Sequence, residues 1–208
     1  MKNKKTAIID YGMGNLKSVE KCLNYLGINN KLVKNPKNLK DYSHIILPGV
    51  GSFKEAIKNL KKNGMYNALI RVSKNKKQKI LGICLGMQLL FNSSTEEGYT
   101  KGLGILEGKV DSFIIKRKTN LKIPHVGFNE VSFNKDNRFF KDIKNNSDFY
   151  FDHSFKIKKF QKDINPVTCI YGEKFLSAFN IENIFGTQFH PEKSQSNGLL
   201  LLKNFIQL

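Results

Sequence analysis

The pentapeptide 82–86, Gly-Ile-Cys-Leu-Gly, constrains the fold more than any other stretch of the chain. The residues before it, 79–81, predict a short buried strand, and residues 87–91 after it carry a helical pattern of apolar side chains. A strand, a sharp turn and a helix, with Cys84 at the apex, form the layout of a nucleophile elbow. The two glycines suit such a turn, because its backbone is strained and neighbouring chain must approach it closely.

The position of Cys84 predicts a reactive thiol. A helix N-terminus favours the thiolate, and the N–H of Leu85 would point at an oxyanion formed beside the sulfur. A core cysteine between two packing glycines is the alternative, since free cysteine is among the most buried residue types. Other features of the sequence must discriminate between a reactive thiol and a buried core cysteine at this position.

Length and composition predict one globular domain over residues 1–208, large enough to bury a sizeable core. The apolar runs are too short to cross a membrane. The basic segment 1–5 precedes an apolar run that breaks at Asp10, so we expect no signal peptide. Three widely spaced cysteines, Cys22, Cys84 and Cys169, give neither a disulfide framework nor a metal-ligand pattern. We therefore expect a cytoplasmic protein without a metal site.

The net charge of +18 raises the question of a nucleic-acid partner. All but three of the 35 basic residues are lysines, and they are scattered along the whole chain. Recognition of bases and phosphates usually relies on the planar fork of arginine. We therefore expect a solvated lysine surface and no nucleic acid, with a docking surface for an acidic partner as a second possibility.

The first 91 residues alternate between strand and helix patterns, which predicts a mostly parallel sheet with helices on both faces. A Gly-x-Gly in segment 10–15 lacks a third glycine in register, which argues against a dinucleotide site. From residue 104 onward, short β-rich segments predict an antiparallel extension of that sheet. The predicted strands are 6–9, 31–33, 44–47, 79–81, 109–115, 126–133, 149–157, 167–171, 175–179 and 184–189; the predicted helices are 16–26, 53–60, 65–72, 87–91 and 199–205, and 92–101 is predicted as a polar loop.

A second candidate group for chemistry lies near the end of the chain, where His190, Pro191 and Glu192 follow a predicted strand. Pro191 disfavours helix at His190 and keeps it extended. Residues two apart in an extended segment point the same way, so His190 and Glu192 can face one site. A nucleophilic thiol needs a base, and the base needs an orienting carboxylate. Cys84, His190 and Glu192 supply these three roles.

The chain resembles the class I, triad-type glutamine amidotransferases, and among them the glutaminase subunits of imidazole glycerol phosphate synthase. The matching stretches span nearly the whole chain, and together they are highly specific. They are 10–15 (Asp-Tyr-Gly-Met-Gly-Asn), 47–53 (Leu-Pro-Gly-Val-Gly-Ser-Phe), 82–91 (Gly-Ile-Cys-Leu-Gly-Met-Gln-Leu-Leu-Phe) and 186–194 (Gly-Thr-Gln-Phe-His-Pro-Glu-Lys-Ser).

The resemblance implies that Cys84 attacks the side-chain amide of L-glutamine, with His190 as the proton carrier and Glu192 as its orienter, and that no cofactor takes part. It places the oxyanion donors at Leu85 and in the loop of Gly49, Val50 and Gly51. Further positions match the family's glutamine-binding residues or the side that faces a partner. The first set is Gly49, Gln88, Glu96, His153 and Ser154, and the second is Asn15, Tyr150 and Lys193.

The implied partner is a (β/α)8-barrel cyclase subunit, which forms a heterodimer with the glutaminase and receives its ammonia in histidine biosynthesis. Three positions depart from the family's usual residues: Phe128 replaces Trp, Asp152 replaces an apolar residue and Phe155 replaces Tyr. These departures leave open a related glutaminase subunit that feeds a sugar-modifying synthase of surface glycans. A catalytically idle binding module and a papain-like protease are the hypotheses from other classes.

Overall fold

Four short strands of the N-terminal half form one side of a seven-stranded sheet in the computed structural model, which describes residues 4–114 and 121–208. They are β1 (Thr6–Ile9), β2 (Asn30–Val33), β3 (His44–Leu47) and β4 (Lys79–Ile83), and all four are parallel. Every residue of β1 and β3 is buried. This is expected of parallel strands that are covered on both faces, and it explains their continuous apolar sequences.

The helices cover both faces of this sheet, as predicted. They are α1 (Leu16–Tyr25), α2 (Phe53–Lys62), α3 (Met65–Ser73), α4 (Leu85–Leu89) and α5 (Gln195–Gln207). Ala7 and Ile9 of β1 belong to the apolar cluster that contains the buried residues of α2 and α3. Ile8 belongs to the cluster that contains those of α1 and α5. Side chains alternate across a strand, so each face of the sheet has its own core.

The C-terminal half extends the sheet with antiparallel strands, which confirms the predicted fold class. The added strands are β11 (Asn165–Tyr171), β12 (Glu173–Ile181) and β13 (Ile184–Thr187). The strand order is β11-β12-β13-β4-β3-β1-β2. Strand β13 runs parallel to β4, whereas β12 is antiparallel to both of its neighbours. The elbow strand β4 therefore lies in the middle of the sheet, beside the strand that leads to His190.

Two smaller sheets lie outside the central one. The first has the order β10-β7-β5-β6 and consists of β5 (Ser93–Ser94), β6 (Thr100–Lys101), β7 (Lys109–Ser112) and β10 (Phe155–Lys158). The second pairs β8 (His125–Val131) with β9 (Ser147–His153).

These small sheets correct three sequence predictions. Segment 92–101 is not only a loop, because β5 and β6 lie within it; both strands are polar and so lack the apolar pattern of a strand. Segment 149–157 is two strands that part at Ser154, since β9 pairs with β8 and β10 pairs with β7. Strand β7 ends at Ser112, and residue 115 of the predicted strand lies outside the described residues.

The elbow is held by close backbone contact between β3 and α4. A Cβ atom on Gly86 would overlap the carbonyl oxygen of Leu47, at the end of β3. A Cβ atom on Gly82 would lie 2.6 Å from the amide nitrogen of Met87. The N–H of Cys84 donates to the carbonyl of Thr187 at 2.7 Å, which joins the turn to β13. Both glycines are thus required by close approach, as the sequence predicted.

This contact predicts that Gly86→Ala destabilises the fold strongly. The added methyl group meets backbone that cannot move aside, so we expect the free energy of unfolding to fall by about 3 kcal/mol. Gly98→Ala is the matched control, because its Cβ would meet nothing within 4 Å and only its left-handed φ of +80° is unfavourable. That change should cost about 1 kcal/mol. Urea unfolding of both variants measures the difference, and equal costs would contradict the role given to the contact.

Candidate active site

Cys84 occupies the strained apex of the elbow. Its φ is 52° and its ψ is −110°, a combination that L residues rarely adopt and that is typical of functional turns. The side chain is nearly buried, with 5% of the residue exposed. Its thiol donates to the carbonyl of Asp152 at 3.8 Å. The Gln188 side chain in turn donates to the sulfur at 3.7 Å. The helix that follows begins at Leu85, two residues earlier than predicted, and has only five residues.

His190 and Glu192 form a buried pair. Nδ1 of His190 lies 2.8 Å from Oε1 of Glu192, and the two side chains are 2% and 1% exposed. His190 is extended, with φ −96° and ψ 97°, as Pro191 predicts. One expectation is wrong, however: Glu192 does not continue an extended segment but lies in the 3₁₀ turn Pro191–Lys193. The turn brings the carboxylate back towards the imidazole.

The backbone around this pair is itself held in place. The N–H of His190 donates to the carbonyl of Tyr150 at 2.8 Å. The hydroxyl of Ser194 donates to the carbonyl of His190 at 2.6 Å and accepts the N–H of Tyr150 at 3.0 Å. Strand β9 and the catalytic turn are therefore joined by a short network of hydrogen bonds.

The charge state of His190 depends on its two neighbours. Burial alone would lower its pKa, but Cys84 and then Glu192 favour the imidazolium and raise the pKa to about 10. Nε2 of His190 has no hydrogen-bond partner of good geometry among the described residues. Contacts of this kind in active sites are often long until substrate binds. The arrangement therefore favours the imidazolium form of His190.

A cavity of about 520 Å³ opens above Cys84. Many of the predicted site residues line it: Val50, Gly51, Cys84, Leu85, Gln88, Glu96, His153 and Ser154. Ser52, Pro124, Asp152 and Phe155 also line it, and the sequence analysis did not assign them to the substrate site. Gly49, His190 and Glu192 are not among the residues that line the cavity.

Two polar side chains at the cavity wall are held by hydrogen bonds. Oε2 of Glu96 accepts the N–H of Phe53 at 2.9 Å, at the start of α2. Burial raises the pKa of this carboxyl, and the Phe53 N–H acts in the opposite direction. The amide nitrogen of Gln88 donates to the carbonyl of Phe155 and to Oε1 of Gln188, both at 3.0 Å. Gln188 thus contacts both Cys84 and Gln88; its two-residue spacing from His190 is the sequence signal that could have identified it.

His153 is a neutral imidazole at the cavity wall. Its Nδ1 lies 2.8 Å from the carbonyl of Phe155, which can only accept, so Nδ1 carries the hydrogen. Its Nε2 therefore accepts from Nδ1 of His125 at 3.0 Å. Burial lowers the pKa of His153 to about 3 and that of His125 to about 4. Burial thus keeps both His153 and His125 neutral, whereas the pKa of His190 is raised.

Two of the three residues predicted to face a partner lie together. The ammonium of Lys193 lies 5.1 Å from the ring centroid of Tyr150 and 3.7 Å from the carboxylate of Asp152. The half-exposed ring of Phe128 packs edge-on against Tyr150, with the centroids 5.5 Å apart. Asn15 lies elsewhere in the sequence, just before α1, and its side chain accepts from the hydroxyl of Ser18 at 2.9 Å. Phe128 and Asp152, two departures from the family pattern, therefore lie beside Tyr150 and Lys193.

Among the described residues, no group of three or more His, Cys, Asp or Glu side chains is arranged to hold a metal ion. None of the helices in residues 4–114 and 121–208 is both long and apolar enough to cross a membrane.

A family model, Glutamine amidotransferase class-I, matches residues 7–208. The chain belongs to the class-I glutamine amidotransferase family. This amidotransferase is 48% identical over 202 residues to a Campylobacter jejuni protein named Imidazole glycerol phosphate synthase subunit HisH 1, with 97% of the chain and 99% of the relative covered. It is 46% identical to the subunit HisH of Caldanaerobacter subterraneus, with 95% of each covered.

Solved structures share the fold of this amidotransferase. One, described as a crystal structure of glutamine amidotransferase, superposes with a TM-score of 0.74 at 16% identity, covering 97% of this chain and 99% of the other. Another, of PurLQS from Thermotoga maritima, gives a TM-score of 0.73 at 18% identity, covering 99% and 98%. At such identities the likeness concerns the fold.

The surroundings of His190 predict that Cys84→Ser lowers its pKa. Replacing the thiol removes the largest of the effects that raise the pKa from 6.5 to about 10. We expect ring-nitrogen NMR to show His190 titrating at a lower pH in the variant. His44 is the internal control: its pKa is lowered to about 4 by burial and by lysines, so the substitution should leave it unchanged.

The same shift has a consequence for stability. The folded-state pKa of His190 is raised, so its stabilising contribution is full below about pH 6.5 and is lost as the pH rises through about 10. The stability of the wild type should therefore fall more steeply over this range than that of Cys84→Ser. An unchanged His190 titration in the variant would show that the thiol does not raise the pKa.

Proposed function

We propose that this chain is the glutaminase subunit of an imidazole glycerol phosphate synthase and hydrolyses L-glutamine to glutamate and ammonia. The observation that most directly supports this function is the position of Cys84 on a strained elbow that lines a cavity. The chain also supplies a buried His190–Glu192 pair. The family and the near full-length relatives named HisH support this function over an idle binding module or a papain-like protease.

The first half of the reaction makes a thioester. The thiolate of Cys84 attacks the amide carbon of the glutamine side chain, and the carbonyl electrons move onto the oxygen. The oxyanion collapses, the C–N bond breaks, and the imidazolium of His190 gives its proton to the departing nitrogen. Ammonia leaves and His190 becomes neutral. Glu192 holds Nδ1 at 2.8 Å and so aims Nε2 at the reacting groups.

The second half hydrolyses the thioester. Once Cys84 is acylated it carries no charge, so the largest effect that raises the pKa of His190 is gone. The imidazole can then take a proton from water, whose oxygen attacks the thioester carbon. Collapse of the second oxyanion breaks the C–S bond, releases glutamate and restores the thiolate beside the imidazolium. The dependence of the His190 pKa on Cys84 thus suits both proton transfers.

The remaining site residues have binding roles in this proposal. The N–H groups of Leu85 and of the loop formed by Val50 and Gly51 stabilise the oxyanion. Val50 is 41% exposed and Gly51 has a φ of +94°, so this loop projects from the end of β3. Four residues that line the cavity contact the substrate, and Gly49, next to Val50, contacts it through its backbone. The four are Gln88, Glu96, His153 and Ser154.

The partner in this proposal is a cyclase subunit with a (β/α)8-barrel fold, which forms a heterodimer with this chain and receives the ammonia. We place its contact on Asn15, Tyr150 and Lys193, because Lys193 ends the turn that contains Glu192 and pairs with Asp152 at the cavity wall. We also propose that residues 1–208 act as one glutaminase domain in the cytoplasm. A sugar-modifying synthase is the alternative partner, but the relatives reported above are named for the histidine-pathway synthase.

Cys84→Ala is the direct test of the nucleophile. We expect glutamine hydrolysis by the complex to fall by roughly 10³-fold or more, because triad residues act as a unit. Synthesis from added ammonia should be unaffected, since the cyclase reaction does not need the thiol. Cys169→Ala is the matched control, because Cys169 lies on the edge strand β11 and does not line the cavity. Glutaminase activity that survives Cys84→Ala would exclude this mechanism.

Lys193→Ala tests the coupling to the partner. Glutamine turnover should be low for the subunit alone and rise when a barrel cyclase is added, and the variant should reduce that stimulation by roughly fivefold or more. Lys76→Ala is the control. Lys76 also forms a surface ion pair, with Glu182, but it precedes β4 and so lies at the amino ends of the strands, opposite to the active site. Stimulation by a sugar-pathway barrel alone would replace the proposed pathway and keep the chemistry. High activity without any partner would contradict the synthase-subunit assignment.

A further inference from the structure

Tyr11 is a buried tyrosine of the first loop that the mechanism above does not use. Only 4% of its surface is exposed. Its hydroxyl donates to the carbonyl of Pro48 at 2.9 Å. Pro48 is the first residue after β3 and directly precedes Gly49, Val50 and Gly51. The contact therefore holds the loop to which we assign an oxyanion donor.

The loop at 48–51 is enclosed on two sides. A Cβ atom on Gly49 would lie 2.8 Å from the Tyr11 hydroxyl and 2.8 Å from the amide nitrogen of Gly86. Gly49 thus fits between Tyr11 and the catalytic elbow only because it has no side chain. A Cβ atom on Gly14 would lie 3.4 Å from Pro48, in ordinary van der Waals contact with it.

The hydrogen bond constrains more than one atom. A peptide unit is planar, so holding the Pro48 oxygen also sets the direction of the Gly49 N–H on the opposite side. The ring of Pro48 fixes its own φ. The first peptide of the loop is therefore fixed, and only the dihedrals of Gly49 and Val50 remain to direct the next two N–H groups.

We propose that Tyr11 is a positioning residue for the oxyanion loop: its hydroxyl orients the peptide between Pro48 and Gly49 and thereby the N–H groups of Val50 and Gly51. The role rests on the proposed glutaminase function. Burial, and then the charge of Cys84, raise the pKa of Tyr11, so the hydroxyl keeps its hydrogen and remains a donor at any working pH. Gly49 lies against both the Tyr11 hydroxyl and the amide nitrogen of Gly86, so the anchor is next to the catalytic elbow.

Tyr11→Phe removes the hydroxyl and keeps the buried ring. Tyr66→Phe is the matched control, because the Tyr66 hydroxyl donates to the carbonyl of Gly102 at 2.7 Å, away from the cavity residues. In the complex with the cyclase subunit we expect Tyr11→Phe to lower kcat for glutamine roughly 10-fold to 100-fold, since small displacements of catalytic groups have effects of that size. KM should stay within about twofold, because the substrate-binding side chains are unchanged.

Two readouts separate positioning from a general structural role. Alkylation of Cys84 by iodoacetamide forms no oxyanion, so its rate should be the same in the wild type and both variants. Amide hydrogen exchange of Gly49, Val50 and Gly51 should become faster in Tyr11→Phe and not in Tyr66→Phe.

An unchanged kcat in Tyr11→Phe, with an active wild type, would overturn the positioning role alone. A parallel loss of alkylation and turnover would also overturn it, since the elbow itself would then be disturbed. If the wild-type complex does not hydrolyse glutamine, the proposed function fails; amide exchange then decides by itself whether Tyr11 holds the loop.

Discussion

The active site depends on one backbone contact, in which the elbow lies directly against the end of β3. Gly86 packs so closely on the Leu47 carbonyl that no side chain fits between them, and Gly49 is confined in the same way by the Gly86 amide nitrogen. This contact fixes the distance between the nucleophile and the loop assigned to the oxyanion. It also explains why both contacting segments, 47–51 and 82–86, contain glycines. A wider separation would leave Cys84 without a neighbouring loop.

The direction of the parallel strands gathers the other parts of the site. Strands β1, β3, β4 and β13 all end at one edge of the sheet, and each is followed by a segment with an assigned role. Those segments begin at Asp10, Pro48, Cys84 and Gln188. Ligands of open α/β sheets bind outside the carboxyl ends of the strands for this reason. The buried imidazole of His190 supplies the proton carrier of the site. Cys84 and Glu192 together raise its pKa by more than burial lowers it, so the imidazolium is favoured.

The smaller β8–β9 sheet links this centre to the outer surface. Strand β9 contains Tyr150 and Asp152 on its outer side, whereas the carbonyls of the same two residues accept from His190 and Cys84. Lys193, in the turn after His190, contacts the outer side chains of both. A displacement of β9 by a bound protein would therefore reach the thiol and the imidazole through single hydrogen bonds. This short connection is the physical basis for the proposed control of glutaminase activity by a partner.

The sequence by itself determined the wound sheet, the elbow at Cys84 and the extended backbone of His190, because apolar periodicity, glycine spacing and an X-Pro bond act locally. It did not determine the break of 149–157 into β9 and β10, nor the strands in 92–101, since both depend on pairing with distant β7 and β8. The 3₁₀ turn at Glu192 and the contacts of Gln188 were also beyond local patterns. Only the tertiary structure decided that Tyr11 reaches Pro48 and that Asp152 meets Lys193, because residues far apart in sequence become neighbours only when the strands pack.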